Sequence, residues 1–168
     1  MGNPIEPIQT ADEIDAYLAF ANPIIGVDMN DPYMRRLYGT DNLVREIAEE
    51  RRAGFMIRDG GTIVAGSFAK ILRVGDKFDR RIDDPRTLVL TEYWAVAETR
   101  RRQGLISSLI PRCESFARGC LASGLVAEIE LANPASLHVA FGHGFVATHL
   151  LGASLAIPGD FLILRKDL

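Results

Sequence analysis

The most constraining feature of the sequence is the junction at residues 96–107, where an apolar strand, a basic turn and a periodic helix follow one another. Residues 87–96 are apolar and β-branched, which predicts a strand in the middle of a sheet. From Leu105 onward, apolar side chains recur at three- and four-residue spacing, which predicts a helix with one buried face. Three consecutive arginines and Gly104 stand between the two. This order is typical of a mixed α/β fold.

The junction favours the binding of an anion. The first N–H groups of a helix have no partner inside the helix, and the helix dipole adds partial positive charge at that end. Gly104 would let phosphates approach the backbone, and the arginines could add charge-assisted hydrogen bonds. The same residues would equally suit a solvated basic turn, so the junction alone leaves both interpretations open.

The remaining pattern predicts helices first and alternating strands and helices later. A helix begins at Ala11 behind the capping residue Thr10, and a loop with a short helical piece covers residues 22–38. A second helix runs from residue 41 or 42 to Arg52 and stops at Gly54. The later predicted elements are strands 55–58 and 62–71, a loop or ragged hairpin 74–86, strand 126–131, helix 135–141, and strands 145–151 and 154–164.

Composition excludes several classes of protein. The net charge of −3 and pI near 5.6 argue against a bulk electrostatic attraction to nucleic acid. No apolar stretch has the roughly 18 residues of a membrane span, and the N-terminus lacks a signal-peptide pattern. Cys113 and Cys120 lie two turns apart on the predicted helix, too far for a disulfide, and no zinc-ligand spacing occurs. We therefore expect one cytoplasmic domain, residues 1–168, without a metal.

Residues 96–145 resemble the acyl-CoA-binding core of the GNAT superfamily of N-acetyltransferases. In that family a strand is followed by the pattern [RQ]-x-x-G-x-[GA] and a helix, then by a strand, an asparagine and a helix ending in Gly-Phe. Here Arg101-x-x-Gly104, Asn133 and the Gly-Phe pair at 144–145 match in that order. The resemblance implies a mixed, mostly antiparallel sheet of about six or seven strands flanked by about four helices. It also implies acetyl-CoA as cosubstrate and a primary amine as acceptor, joined by direct attack.

The resemblance assigns a binding role to the residues around the junction. The strand at residues 93–96 would diverge from the next strand and leave a cleft for the pantetheine arm. The amides of residues 101–106 would hold the pyrophosphate, and Asn133 would contact the pantetheine. The residues expected to bind acetyl-CoA are Trp94, Ala95, Val96, Arg101, Arg102, Gln103, Gly104, Leu105, Ile106, Ser107, Asn133 and Ser136.

Two glutamates are candidates for the base that removes a proton from the amine. Glu92 stands in an otherwise apolar strand, where a charge needs a partner, solvent or a raised pKa. A structural ion pair or an edge position would explain it as well. Glu128 shares a strand face with Glu130 and matches a position that carries a catalytic glutamate in some related enzymes; a solvated strand face is its alternative.

The chain also departs from the family pattern. Ala140 stands where the family often has a tyrosine that protonates the CoA thiolate, and Ile106 replaces a small residue. Two alternatives therefore remain, a CoA-binding or sensing module without turnover and a longer-chain acyltransferase. Trp94 could line an acceptor pocket or pack in the core, and Arg51 and Arg52 are expected to be solvated. No nucleic-acid or membrane partner is expected, and a homodimer is left open.

Overall fold

A computed structural model describes residues 4–72, 88–152 and 159–168. Within them the strands are β1 (Ile5–Ile8), β2 (Arg52–Asp59), β3 (Thr62–Ile71), β4 (Leu88–Val96), β5 (Gly124–Glu130), β6 (Val146–Leu151) and β7 (Phe161–Asp167). The helices are α1 (Ala11–Ile25), α2 (Pro32–Tyr38), α3 (Thr40–Ala48), α4 (Leu105–Gly119) and α5 (Pro134–Gly142), with a 3-10 turn at Glu98–Arg100. All strands join one sheet in the order β1-β2-β3-β4-β5-β7-β6, and β4–β5 is its parallel pair.

Helices cover both faces of this sheet. Tyr17 of α1 and Leu43 of α3 pack against Phe68 of β3 on one face. The next residue of β3, Ala69, points to the opposite face and packs in a cluster with Ile110 of α4. The predicted fold class is confirmed, with seven strands in a mostly antiparallel sheet. The described residues contain five α-helices rather than about four, because α2 is a separate short helix.

Helix α1 begins where the sequence predicts and ends later. The N–H of Glu13 donates to Thr10 Oγ1 at 3.3 Å, and the Thr10 N–H donates to the Glu13 carboxylate at 2.9 Å, forming a capping box. The helix then runs through Pro23, so the loop predicted from residue 22 is wrong for its first part. Pro23 lacks the N–H that would bond the carbonyl of Ala19, but it stands in the last turn, so few helical residues follow it. Gly26 ends the helix at φ 71°.

The predicted second helix was too long. Helix α3 ends at Ala48, and Glu50 reverses the chain at φ 55°, so Arg52 is the first residue of β2. The sequence predicts a helix stop at Gly54, but this glycine lies within β2. A Cβ there would lie 2.7 Å from Phe68 Cε1, so the close packing of the two strands requires glycine. Arg52 is 3% exposed, which contradicts the expected solvated position.

Some predictions lie outside the described residues. These are the loop or ragged hairpin at 74–86 with its arginine pair at 80–81, the first residue of the strand predicted at 87–96, and most of the first half of the strand predicted at 154–164. Strand β1, at Ile5–Ile8, was not predicted; it adds to the sheet edge by antiparallel pairing with β2. None of the helices in the described part of the chain is long and apolar enough to cross a bilayer.

Candidate active site

A cleft opens where β4 and β5 separate. The two strands pair in parallel only from Leu88–Gly124 to Leu90–Val126. Beyond that point β4 continues to Val96 with no partner on this side among the residues that the structure describes, while β5 continues against β7. The predicted divergence of the two strands is confirmed, and it starts at Thr91, earlier than the expected residue 93. The result is a V-shaped cleft that is closed at Leu90–Val126 and open at the carboxyl ends of both strands.

A β-bulge shapes the β4 side of the cleft. Phe68 of β3 pairs with Glu92, and Gly66 pairs with Ala95, so Ser67 alone stands opposite two residues of β4, Tyr93 and Trp94. Tyr93 has φ 59°, in the left-handed region that bulky side chains rarely adopt. The sequence did not indicate this bulge, because it depends on the strand opposite.

Long-range contacts hold the bulge in place. The hydroxyl of Tyr17 in α1 donates to the backbone carbonyl of Tyr93. Burial raises the pKa of Tyr17 well above its ordinary value, so this hydroxyl keeps its proton as a donor. A Cβ at position 66 would lie 2.3 Å from the Tyr17 ring, so only glycine leaves room for it. Gly66 and Tyr17 thus fix the bulge from the α1 side.

The indole of Trp94 is fixed from the opposite face. Its Nε1–H donates to Thr91 Oγ1 at 2.7 Å, and the Thr91 hydroxyl donates to Cys113 Sγ at 3.6 Å. The ring meets Phe145 edge-on, with centroids 6.5 Å apart. Trp94 is half-buried at the edge of the core cluster that also contains Cys113 and Phe145. Because the bulge adds one residue, Thr91 and Trp94 share a face, and the indole folds back toward the closed end of the cleft.

The turn before α4 is open and its amides are available. Among the described residues, no hydrogen bond uses the backbone N–H groups of residues 102–107. The neighbouring amides are engaged, since the Arg101 N–H donates to Glu98 O at 3.3 Å and the Ser108 N–H donates to Gly104 O at 3.0 Å. Gly104 has φ 72°, and a Cβ there would meet no heavy atom within 4 Å. The backbone at this turn can therefore be approached closely.

The three arginines of the turn differ in their contacts. Arg100 forms an ion pair with Asp59 at 2.5 Å, across the end of the β2–β3 hairpin. Arg101 and Arg102 are exposed and form no ion pair with any residue of the described chain. The two arginines expected to bind acetyl-CoA are thus the two that keep their guanidinium groups available.

Helices α4 and α5, which follow β4 and β5 along the chain, both begin at the open end of the cleft. Because β4 and β5 run parallel, their carboxyl ends lie at the same sheet edge, and α4 and α5 start there. Asn133 caps α5, since its Oδ1 accepts from the Ser136 N–H at 3.1 Å, and Pro134 occupies the first turn. The structure therefore brings Asn133 and Ser136 to the same edge as the turn at residues 101–107.

Glu92 belongs to a buried network of charges. Its carboxylate forms an ion pair with Arg52 Nη1 and accepts from the Tyr38 hydroxyl at 2.9 Å. Arg52 also bonds Glu46 at 2.7 Å, and Lys70 lies 3.3 Å from Glu46. The structural ion pair proposed as one alternative for Glu92 is therefore formed. Burial and the charge of Glu92 raise the pKa of Tyr38, so Tyr38 stays a donor.

Arg52 and Tyr38 were missed from the sequence. The sequence predicts Arg52 at the end of a helix, and its partner Glu92 is 40 residues away. The guanidinium of Arg52 also lies over the rings of Tyr38 and Phe68, at 5.8 and 5.5 Å. The sequence can indicate a buried arginine here only if β2 is predicted to begin at residue 52.

Glu128 lies on β5 beyond the point where β4 leaves it. Its neighbours Ala127 and Ile129 face the α4–α5 side of the sheet, so strand alternation places Glu128 on the α1–α3 side. Glu92 contacts α2 and is on that side too. The two candidate glutamates thus flank the cleft on one face. Ala140 is fully buried in the core cluster on the opposite face and presents no proton donor.

Solved structures of similar fold include two N-acetyltransferases and a protein in complex with acetyl-CoA. The chain matches Arabidopsis thaliana NAA60 in complex with acetyl-CoA at 15% identity and TM-score 0.74, covering 98% of each chain. It matches ribosomal-protein-alanine N-acetyltransferase from Brucella melitensis at 20% identity and TM-score 0.72, covering 98% of this chain and 99% of that one. The Escherichia coli ribosomal-protein-S18-alanine N-acetyltransferase matches at 16% identity and TM-score 0.64, covering 98% and 93%.

The sequence itself matches one family over most of its length. Comparison with curated proteins gives no significant match. Residues 24–145, which include the cleft, the open turn and α5, match the model of the acetyltransferase (GNAT) family. That match spans well over half of the chain, and it agrees with the fold. The chain belongs to the GNAT acetyltransferase family.

Proposed function

We propose that this protein transfers an acetyl group from acetyl-CoA to a primary amine. The open turn before α4 carries the proposal. The backbone N–H groups of residues 102–107 have no partner among the described residues, and Gly104 leaves the space beside them empty. Unpaired amides at a helix N-terminus suit a diphosphate, and Arg101 and Arg102 add positive charge. These are the features that the pyrophosphate of CoA would use.

The cleft suits the rest of the CoA molecule. From Thr91 to Val96, no strand in the described part of the chain pairs with β4 on the β5 side, so its backbone donors and acceptors can bond the amides of a pantetheine arm. Such an arm would start at the turn and run back along β4 toward the bulge. Asn133 and Ser136, at the same open end, are proposed to contact it.

The proposed reaction is a direct transfer. The lone pair of the amine attacks the thioester carbonyl carbon, forming the C–N bond, and the C–S bond then breaks. A base takes the proton that the amine nitrogen loses, and the departing thiolate takes a proton from water, because Ala140 supplies none. We propose that backbone N–H groups at the bulge stabilise the charge that develops on the carbonyl oxygen.

We propose different roles for the two glutamates. Glu92 already bonds Arg52 and Tyr38, so we assign it to positioning α2 beside the cleft. Glu128 stands on the same face, past the divergence of the strands, and we assign it as the base. Glu128→Gln is then expected to lower kcat by about 100-fold or more, with little change in acetyl-CoA affinity. Glu130→Gln, two residues along the same strand face, is the control and should retain the wild-type rate.

The acceptor is best sought among N-terminal amines. Two structures of similar fold carry names that describe acetylation of an alanine of a ribosomal protein. Their identity to this chain is 20% or lower, so the names guide the choice of substrates rather than fix it. An acceptor panel should contain peptides with N-terminal alanine, the same peptides with a blocked N-terminus, and small primary amines.

The proposal is tested by thiol release from acetyl-CoA. We expect release that depends on an added amine and a product whose mass has increased by one acetyl group. Binding of acetyl-CoA by calorimetry without amine-dependent release from any member of the panel would instead support a CoA-binding module without turnover. The alanine at position 140 is the observation that favours that second function. Absence of binding would contradict both.

A further inference from the structure

We propose that Trp94 closes the acyl end of the cleft and restricts the protein to short acyl groups. The inference rests on the proposed function, because it takes the orientation of CoA from the open turn at residues 102–107. With the diphosphate at that turn, the pantetheine arm runs from Val96 back along β4. The thioester therefore points toward Thr91, and any lengthening of the acyl chain extends toward the closed end at Leu90–Val126.

The indole of Trp94 stands in this path. Its Nε1–H bonds Thr91 Oγ1 at 2.7 Å, and Thr91 is the first residue of β4 beyond the strand pairing. The large ring system therefore folds over the vertex of the V, where the acyl chain would have to grow. Phe145 supports it from the α5 side, edge-on at 6.5 Å.

The indole is held and cannot move aside easily. Thr91 accepts its N–H and is itself bonded to Cys113 Sγ at 3.6 Å, which lies on α4 and is fully buried. Ser67, the residue opposite the bulge, lies 3.7 Å from the same sulfur. Rotation of the indole would break its hydrogen bond and leave a polar group in a largely buried site. A rigid wall of this kind excludes extra methylene groups.

Binding is the first measurement, and it does not require turnover. The chain contains one tryptophan, so its intrinsic fluorescence reports on Trp94 alone. Wild-type protein should be titrated with CoA, acetyl-CoA, butyryl-CoA and hexanoyl-CoA, by calorimetry and by fluorescence. We expect the emission to change differently with CoA and with acetyl-CoA, and butyryl-CoA and hexanoyl-CoA to bind at least about tenfold more weakly than acetyl-CoA.

Two substitutions enlarge the cleft in steps. Trp94→Phe keeps an aromatic ring but shortens it, and Trp94→Ala removes it. We expect the ratio of hexanoyl-CoA to acetyl-CoA affinity to rise about tenfold or more in Trp94→Ala, with Trp94→Phe between it and the wild type. Phe116→Ala is the matched control, because Phe116 is a half-buried aromatic residue of the same core cluster on α4, and among the described residues no ring contact joins it to Trp94. Its ratio should stay at the wild-type value.

The outcomes separate this inference from the proposed function. If the wild type binds no CoA compound by calorimetry, the proposed function fails and the inference fails with it. If the wild type binds acetyl-CoA but its affinity is the same for all chain lengths, the inference alone is overturned. An equal rise of the affinity ratio in Phe116→Ala, or an unchanged ratio in both Trp94 variants, would also overturn it. Should Trp94→Ala not fold, Trp94→Phe supplies the same comparison.

Discussion

At the scale of single residues, the bulge in β4 depends on a tyrosine from another element. Tyr17 bonds the carbonyl of Tyr93, and Gly66 leaves room for its ring. Tyr93 meanwhile adopts a left-handed backbone conformation, which is unfavourable for a bulky side chain. The Tyr17 hydroxyl therefore compensates for a conformation that the local sequence disfavours.

Tyr17→Phe tests this role. The substitution keeps the packed ring but leaves the buried Tyr93 carbonyl without its donor, so we expect the free energy of unfolding to fall by about 1–3 kcal/mol. Urea denaturation measures the loss. Tyr33→Phe removes a hydroxyl from a tyrosine that is 45% exposed and should be nearly neutral. Equal stability of the Tyr17 variant and the wild type would show that the bulge does not need this bond.

The pKa of Glu46 makes the free energy of unfolding depend on pH in the acid range. Burial alone would raise the pKa of Glu46, but Arg52 and Lys70 outweigh it and lower the pKa below its ordinary value of 4.5. A carboxyl whose pKa is lower in the folded state stabilises the fold above pH 4.5, and this contribution is lost as pH falls from 4.5 through the folded-state pKa.

Free energies of unfolding measured over a pH series check this contribution of Glu46. The wild type should lose stability below pH 4.5 more steeply than Glu46→Gln, because the variant has no proton to take up at this position. Glu49→Gln changes an exposed carboxyl at the end of the same helix and should follow the wild type. Parallel curves for the wild type and Glu46→Gln would contradict the buried network as the source of acid sensitivity.

At the scale of elements, α5 has a cap that is also a proposed ligand contact. Asn133→Ala removes the acceptor for the Ser136 N–H and should cost about 1 kcal/mol of stability. Asn133→Asp keeps an acceptor there and should retain most of the stability. If the amide also contacts pantetheine, both variants should bind acetyl-CoA more weakly. Normal affinity in Asn133→Asp would limit Asn133 to capping.

The elements that the sequence predicts correctly are those whose start is marked by residues adjacent in sequence. Helix α4 begins at Leu105, as its periodicity predicted, and Asn133-Pro134 marks the start of α5. The boundary at Arg52 was misplaced because a glycine two residues later suits a helix end and a tightly packed strand equally. The packing against Phe68 that decides between them comes from β3, and a single local segment does not reveal it.

The candidate site was predicted only in part, for a related reason. The open turn at residues 102–107 follows from an arginine run and a glycine before a helix, all adjacent in sequence. The bulge at Tyr93, the hydrogen bond from Thr91 to Cys113 that supports the Trp94 indole, and the ion pair of Glu92 with Arg52 each join distant segments. Those contacts depend on strand register, which is set by the assembled sheet.

At the scale of the whole molecule, the site exists because one pair of strands in the sheet separates. Strands β4 and β5 form the one parallel pair in the described sheet, so their carboxyl ends, the open turn and the cap of α5 meet at one edge. On one face, α2 and α3 contribute Tyr38 and Glu46 to the buried network, whose other charges, Arg52, Lys70 and Glu92, come from the sheet. On the other face, Cys113 of α4 supports the indole through Thr91, and Phe145, which follows α5, meets it edge-on. The proposed acetyl-CoA site therefore uses both layers of the fold.

The central claim, that the open turn binds a diphosphate, is tested most directly by calorimetric titration of CoA into three proteins. Wild type is compared with Gly104→Val and with Gly26→Val. The two glycines have nearly the same φ, 72° and 71°, and neither has a neighbour within 4 Å of an added Cβ. Both variants thus carry similar backbone strain, and only one places a side chain beside the amides of residues 102–107.

We predict that Gly104→Val weakens CoA binding by about tenfold or more, equivalent to about 1.4 kcal/mol, while Gly26→Val binds like the wild type. Equal affinity in all three proteins, or an equal loss in the two variants, would contradict the claim that this turn holds the diphosphate.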